Sequence, residues 1–345
     1  MEKQALLEPL DVFNPSDFSA ERCMLAPPKH SALPTDLDHL LQTPWAQKVL
    51  SHWNQHAISE AGAWQALDYF VEHHLTDYPH DRDFMALAAS SKLSPYLHFG
   101  QLCPRMVYFY LEDYKAQPNR TSAQIDSAQA WLRQLVWKEF ARHLLFWFAS
   151  SQFEPFMLKY QSMPWQAANA DTLAWQKGLT GYPLIDAGMR ELWATGTMHN
   201  RVRMLVASFL TKNLNQSWLV GKAWFEHTLL DADPANNVMG WQWVAGCGVD
   251  ASPYYRLFNP ITQSEKFDPK GDYIKTWLPE LNALSAKAIH APWLHVAECT
   301  LKGITLGTTY PLPLVDLKTS REAHMERVQS LKAAVWITKK GTEQL

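Results

Sequence analysis

The chain has 345 residues, 47% of them hydrophobic, and a formal net charge of −3. Such a length and apolar content suit one large globular domain or two closely joined ones and weigh against disorder. The slight negative charge weighs against a general nucleic-acid binder and confines any DNA contact to a local basic patch.

Four cysteines, at positions 23, 103, 247 and 299, form no CxxC pair, so no zinc site or iron–sulfur cluster is signalled and a reducing compartment is expected. The opening MEKQALLEPLD lacks a basic region followed by an apolar run, and no stretch approaches a membrane span. A cytoplasmic monomer with neither membrane nor metal partner is expected. The 16 tryptophans are unusual, and an aromatic-rich core accounts for most of them.

In chain order, the PSD, PPK and LPTD stretches before residue 40 read as an irregular lead-in, placed at 1–34. Ser90, Ser91 and Ser94 precede a helical run and offer hydroxyls and amides to a phosphate; an N-cap cluster would look the same. A helix is predicted over 131–148, with Leu132, Leu135 and Val136 inward and Gln134, Trp137 and Lys138 sharing another face. Pro183 falls in the first turn of the next clear helix. Over 201–214, Val202, Leu205, Val206, Phe209 and Leu210 repeat at helical spacing, which leaves Asn200 and Arg203 together on a second face, able to enter one pocket. The segment GCGVDA at 246–251 fits a loose dinucleotide fingerprint but lies inside the WQW block, away from any strand–helix junction. Proline and glycine interrupt 291–315 before a terminal helix near 322–334. No alternating run is long enough for an extended sheet. Basic pairs at Arg201 and Arg203, Lys138 and Arg142, and Lys266 and Lys270 are the local patches open to phosphate.

Several longer blocks occur in a characteristic order: SSKLSPYLHFG at 90–100, WLRQLVWKEFARHLL at 131–145, MHNRVRM at 198–204, DADPANN at 231–237 and GWQWVAGCG at 240–248. Together they resemble the flavin-binding core of the photolyase and cryptochrome family, over 78–281, with a weaker likeness through YPLPLVDLK at 310–318. The resemblance implies a mainly α-helical FAD-binding domain, placed at 35–340. Full-length relatives carry an α/β antenna domain ahead of it. Here the residues before Tyr78 lack βαβ alternation and are too few for one, so a member without that domain is expected.

By that resemblance, Tyr78, Ser90, Ser91, Lys92, Leu93 and Ser94 surround the phosphates of a folded FAD, and Trp131, Gln134, Lys138 and Asn200 also border the cofactor. Asp231 and Asp233 lie near its adenine, ribose and isoalloxazine parts, with Arg203 paired to Asp231. Asn237 faces the redox-active ring nitrogen; a buried capping asparagine is the plainer reading of that residue. Trp241, Trp218 and Trp165 match an electron-transfer chain running to the surface. Trp137 and Trp243 match the aromatic walls of a lesion pocket, with Asn200 and Arg201 supporting the flipped lesion or its phosphates and Arg82 and Gln263 as further DNA contacts. The implied activity is light-driven repair of cyclobutane pyrimidine dimers in UV-damaged DNA, in which reduced FAD lends an electron to the dimer. The alternative is a cryptochrome-like blue-light receptor without repair.

Two departures bear on the substrate. Gln134 stands where many relatives place a glutamate; its amide still donates to a carbonyl, but it cannot supply a proton. Asn200 and Met204 stand where relatives that repair (6-4) products carry histidines, which counts against that lesion.

Overall fold

Helix boundaries in this chain are set by prolines, capping side chains and left-handed glycines. The computed structural model describes residues 42–53, 57–253 and 256–342, with side chains as far as residue 331. The chain divides into Met1–Lys48 and Val49–Leu345, and every feature below lies in the second part. The expected lead-in at 1–34 lies outside the described residues.

Helix α1 (Glu60–His73) starts at Ser59, whose side chain accepts from the Gly62 amide, and α2 (Pro104–Ala116) starts on a proline that has no amide to leave unpaired. Helix α3 (Ser122–Trp147) begins nine residues earlier than the periodicity suggests. Thr121 and Gln124 form a reciprocal capping box there, a start signal present in the sequence as TSAQ. After α4 (Ala170–Lys177), α5 (Pro183–Thr195) opens on Pro183 as expected and stops at Gly196, where φ is +70°. His199 caps α6 (Asn200–Ser208), which widens into a π-turn over Phe209–Asn213. Ser217 caps α7 (Trp218–Thr228); Asp233 caps α8 (Pro234–Ala245), which ends at Gly246 with φ +84°. The terminal helix α9 (Leu317–Thr342) extends beyond its expected bounds at both ends. Between α8 and α9, the proline- and glycine-broken stretch still contains one short helix, Val296–Leu301.

The architecture is mainly helical, as the sequence implies. Among the described residues there is no β-strand, only isolated bridges joining Gln166 to Gln216 and Leu306 to Tyr310. The GCGVDA segment follows the end of α8 and makes no strand–turn–helix unit.

Two apolar cores result. The larger takes in α4 to α8 together with residues as far as Val328 and Leu331 of α9, and includes Trp175, Ile185, Leu192, Val206 and Trp241. The smaller joins Leu67 and Phe70 of α1 to Leu111 of α2 and to Trp131, Leu132 and Leu135 of α3. Ala128, Trp131, Leu132 and Leu135 centre the buried stripe of α3, whereas Val136 lies about 90° from the middle of it at 100° per residue. Val136 is consequently 45% exposed, contrary to the inward placement expected of it. The opposite face of α3, carrying Gln134, Trp137 and Ala141, is turned to a cavity.

A buried knot braces the larger core. The Asp186 carboxylate in the first turn of α5 accepts from the Thr180 amide (2.7 Å), the Thr180 hydroxyl (2.7 Å), the Gly181 amide (3.0 Å) and, from 124 residues away, the Tyr310 hydroxyl (2.6 Å). Burial raises the Asp186 pKa, and these donors and Arg190 pull against that rise.

Candidate functional site

A cavity of about 430 Å³ opens between α3, α6, α8 and the Asp231–Asp233 turn. Helical spacing creates its walls: Gln134, Trp137 and Ala141 recur on α3, Asn200 and Arg203 are three apart on α6, and Asn237 and Trp241 are four apart on α8. The expectation that Asn200 and Arg203 enter one pocket is met. Of the remaining expected site residues, Asp231, Asp233 and Trp243 also line it.

An ion-pair corner forms one wall. Arg203 Nη2 lies 2.9 Å from Asp231 Oδ2, and its Nε donates to the Met198 carbonyl at 2.8 Å, so the guanidinium is held at both ends. Burial alone would raise the Asp231 pKa, but the charge and hydrogen bond of Arg203, helped by the Ser94 hydroxyl, leave it lowered. Asp231 Oδ1 is nevertheless buried with no hydrogen-bond partner. Asp233 accepts from the Asn236 amide (3.0 Å) as the α8 cap, and its other oxygen meets Lys138 Nζ (3.1 Å) and Arg142 Nη2 (3.3 Å). Burial opposes its charge as well, yet the Asn236 amide and Lys138 bring its pKa down to about 2. Lys138 and Arg142, read in the sequence as a patch open to phosphate, are thus engaged with a carboxylate.

On the α8 side, Asn237 Nδ2 donates to the Lys222 carbonyl at 3.0 Å, which fixes the orientation of its amide. Trp241 is buried, with its ring 5.0 Å from Phe225 and 6.3 Å from Trp175, and its Nε1 has no acceptor. Gln134 donates to the Ala130 carbonyl (3.3 Å) and accepts a long contact from Arg82 Nη2 (3.5 Å). One partner only accepts and the other only donates, so the amide cannot be reversed, and one N–H of Nε2 stays unspent. Trp137, 46% exposed, and half-buried Trp243 both line the cavity.

Other expected residues sit off this wall. Tyr78 is buried beside Phe70 (5.8 Å), with Arg82 5.0 Å over its ring, and Trp131 is 5.8 Å from the same Phe70 in the smaller core. Ser90 and Ser91 are half-buried, Lys92 adopts a positive φ of 52°, Leu93 is buried, and Ser94 opens the short helix Ser94–His98. Through Ser94 this segment reaches Asp231. Arg201 is committed to Asp83 (2.5 Å), to Gln263 Oε1 (3.3 Å) and to the Phe267 ring (3.8 Å), so it meets Gln263 as a pair but carries a neutralising carboxylate. Trp218 is buried at the start of α7, and the Gln166–Gln216 bridge sets half-buried Trp165 beside that start.

Three residues escaped the sequence reading. Gln242 is buried and ties the loop after α3 to α8, accepting from the Phe156 amide (2.8 Å) and donating to the Ser151 (2.7 Å) and Glu154 (3.0 Å) carbonyls. His199 caps α6; burial, together with Arg201 and Arg203, lowers its pKa to about 4 although Asp83 opposes. Glu191 accepts from the Tyr273 hydroxyl at 2.5 Å, and burial raises its pKa. The M-H-N run before an apolar periodic stretch could have revealed the His199 cap. Nothing local marks Gln242, whose partners are 86 to 91 residues distant, or the Glu191–Tyr273 contact, which spans 82.

A family model described as the FAD binding domain of DNA photolyase matches residues 131–330, more than half of the chain. The chain therefore belongs to that family, and FAD is its cofactor. It is 43% identical to a deoxyribodipyrimidine photo-lyase of Agrobacterium fabrum over 84% of this chain and 59% of that protein. It is 41% identical to the deoxyribodipyrimidine photo-lyase of Escherichia coli (80% and 56%) and 39% to cryptochrome-2 of Arabidopsis thaliana (78% and 44%). Among solved structures, a bacterial class III photolyase from Agrobacterium tumefaciens superposes with a TM-score of 0.80 at 42% identity, covering 86% of this chain and 61% of that one. The chain thus spans roughly three-fifths or less of the length of these relatives.

The cavity suits such a cofactor on its own terms. Its volume falls within the few hundred cubic ångströms usual for ligand sites, and two buried polar atoms on residues of its wall, Asp231 Oδ1 and Trp241 Nε1, lack partners in a fold that satisfies most others. No described helix is long and apolar enough to cross a membrane.

Proposed function

We propose that the protein repairs cyclobutane pyrimidine dimers in UV-damaged DNA under blue or near-ultraviolet light. The observation that carries this reading is that Trp137 and Trp243 line the same cavity as the Arg203–Asp231 pair and Asn237. A receptor needs a flavin site but has no need of two tryptophans beside it.

FAD, when bound and reduced, supplies the light absorption and an electron that is lent to the lesion and regained. The chain's own residues do the rest. Asp231, held by Arg203, offers its unpaired Oδ1 to a cofactor hydroxyl, while the Ser90, Ser91 and Ser94 segment with Tyr78 and Lys92 serves the phosphates. Asn237, with its amide oriented by the Lys222 carbonyl, presents its oxygen toward the flavin ring. Trp137 and Trp243 stack on the extruded pyrimidines at about 1–3 kcal/mol per base, comparable with the few kcal/mol needed to unstack the lesion. The unspent N–H of Gln134 donates to a pyrimidine carbonyl, with Asn200 beside it. Because an amide needs no proton uptake to donate, this contact is independent of pH. Trp241, Trp218 and Trp165 relay electrons inward from the surface; close packing of easily oxidised indoles suits them to it.

The test is repair itself: protein with FAD fully reduced is mixed with an oligonucleotide bearing a single dimer, and dimer loss is followed with and without blue light. Light-dependent reversal with tighter binding to damaged than undamaged DNA is expected. Stoichiometric FAD with neither property would replace the repair reading by that of a photoreceptor.

A further inference from the structure

The aromatic surface of α3 continues past the cavity. At about 100° per residue, Trp137, Phe140, Leu144 and Trp147 stay within roughly 80° of one another, so a line that starts at the cavity reaches the helix end about 15 Å further on. Trp137, Phe140 and Leu144 line the cavity, and the first two rings are 5.8 Å apart. Trp147 lies beyond it, 64% exposed, with the Phe146 ring (77% exposed) edge-on at 5.2 Å and the His143 ring at 6.1 Å. The chain after the helix adds Phe148, whose ring is 4.9 Å from Phe156 of the cavity wall, and Phe153, 68% exposed. Folding ordinarily covers such rings, and a group of them left in solvent marks a contact surface.

What this surface lacks is unspent positive charge. Lys138 and Arg142 are held by Asp233, and Lys222, whose Nζ lies 5.6 Å over the Phe153 ring, is held by Glu226 at 2.8 Å. Arg133, one turn before Trp137, is exposed and has no ion pair among the described residues. A duplex presents mainly phosphate, and holding it takes several free cations. A single strand presents the faces of its bases, which exposed rings hold whatever the sequence.

We infer that the aromatic line on α3 is a platform for unpaired nucleotides flanking the lesion, so that the preferred substrate is damaged single-stranded DNA. The dimer enters the cavity, the bases on one side of it stack on Trp147 and Phe146, and Arg133 meets a phosphate on the other side. A single strand also spares the unpairing that extrusion from a duplex requires. The place of the dimer rests on the repair reading above, whereas the stacking of flanking bases does not.

The experiment uses holoprotein and thymine oligonucleotides of about 16 nucleotides, long enough to pass the platform, with one central cyclobutane dimer or none, single-stranded or annealed to a complement. Wild type is compared with Trp147→Ala and Phe146→Ala, and FAD content confirms that each is folded. Wild type should bind the damaged single strand at least tenfold tighter than the duplex bearing the same dimer. Trp147→Ala should lose roughly tenfold on single strands, damaged or not, and less than twofold on either duplex. Phe146→Ala should lose in the same direction. Cutting the flank on one side of the dimer to a single nucleotide should abolish the difference between wild type and Trp147→Ala, and cutting the other flank should preserve it. Equal binding of single strand and duplex by wild type, or an equal loss on both in Trp147→Ala, overturns the platform. So does a wild-type homodimer that Trp147→Ala converts to monomer with no change in DNA affinity, which assigns the patch to a second copy of the chain. Loss of undamaged single-strand binding in Trp147→Ala, with no dimer reversed under light by wild type, keeps the platform and removes the repair reading.

Discussion

Two buried carboxylates in this protein live under opposite regimes. Asp186, in the knot beneath α5, is surrounded by four neutral donors and leaves nothing unsatisfied. Asp231, at the cavity, has a cationic partner on one oxygen and no partner on the other. The first arrangement is complete in the protein alone and joins distant segments. The second is half complete, which is what a wall awaiting a ligand hydroxyl looks like. A buried acid is therefore diagnostic of a site by what it lacks as much as by its charge.

The strongest way to break this contrast is Arg203→Met, which leaves Asp231 buried without its counter-charge. We expect a loss of about 3–5 kcal/mol in denaturant unfolding of the protein without FAD, together with weakened FAD retention. Wild-type stability in that variant would mean that the Asp231 corner is solvated and is no ligand wall. Next in size, Trp137→Ala or Trp243→Ala should weaken binding to dimer-containing oligonucleotides by about 1–3 kcal/mol, roughly ten- to a hundredfold, with an unchanged flavin spectrum and a much smaller effect on undamaged DNA. An equal loss for both DNAs would reduce the aromatic walls to general surface. Tyr310→Phe deletes one donor from the Asp186 knot and should cost about 1–2 kcal/mol in thermal or denaturant unfolding while leaving FAD content unaltered. Loss of FAD without loss of stability would reverse the roles assigned to the two carboxylates.

A pH dependence centred on His199 is expected as well. Its pKa is depressed from 6.5 to about 4, so the unfolded chain takes up the proton first on acidification. The stability that neutral His199 contributes is complete above pH 6.5 and is lost as pH falls through about 4. His199→Asn, which keeps a capping side chain, should show a smaller drop in Tm between pH 7 and pH 4.5 than wild type; identical drops would place the pH response elsewhere.

How far these regions were legible in the sequence follows from how local their signals are. The cavity face of α6 was readable because residues three apart must share a side of a helix, which put Asn200 beside Arg203 before any coordinates. The resemblance supplied the expected partners, Arg203 and Asp231 among them, and the structure sets those two at 2.9 Å. The inward assignment of Val136 failed because α3 has apolar residues on both of its faces, one turned to the smaller core and one to the cavity, and periodicity cannot tell a core from a cavity wall. Two of the three free basic pairs failed for a different reason. Arg201 meets Asp83 and Lys138 meets Asp233, partners 118 and 95 residues away that only folding brings near.

The sequence by itself determined the helical class, the helix start at Pro183 and the faces of α3 and α6 that meet the cavity, because each depends on prolines and spacings within a turn or two. Tertiary structure alone decided which charges are spent, which amide orientations are locked, and that the Trp241 ring packs against Gly221. Those outcomes turn on ångström-scale packing between segments far apart in the chain, and hydrogen bonding and electron transfer are both sensitive to distance on that scale.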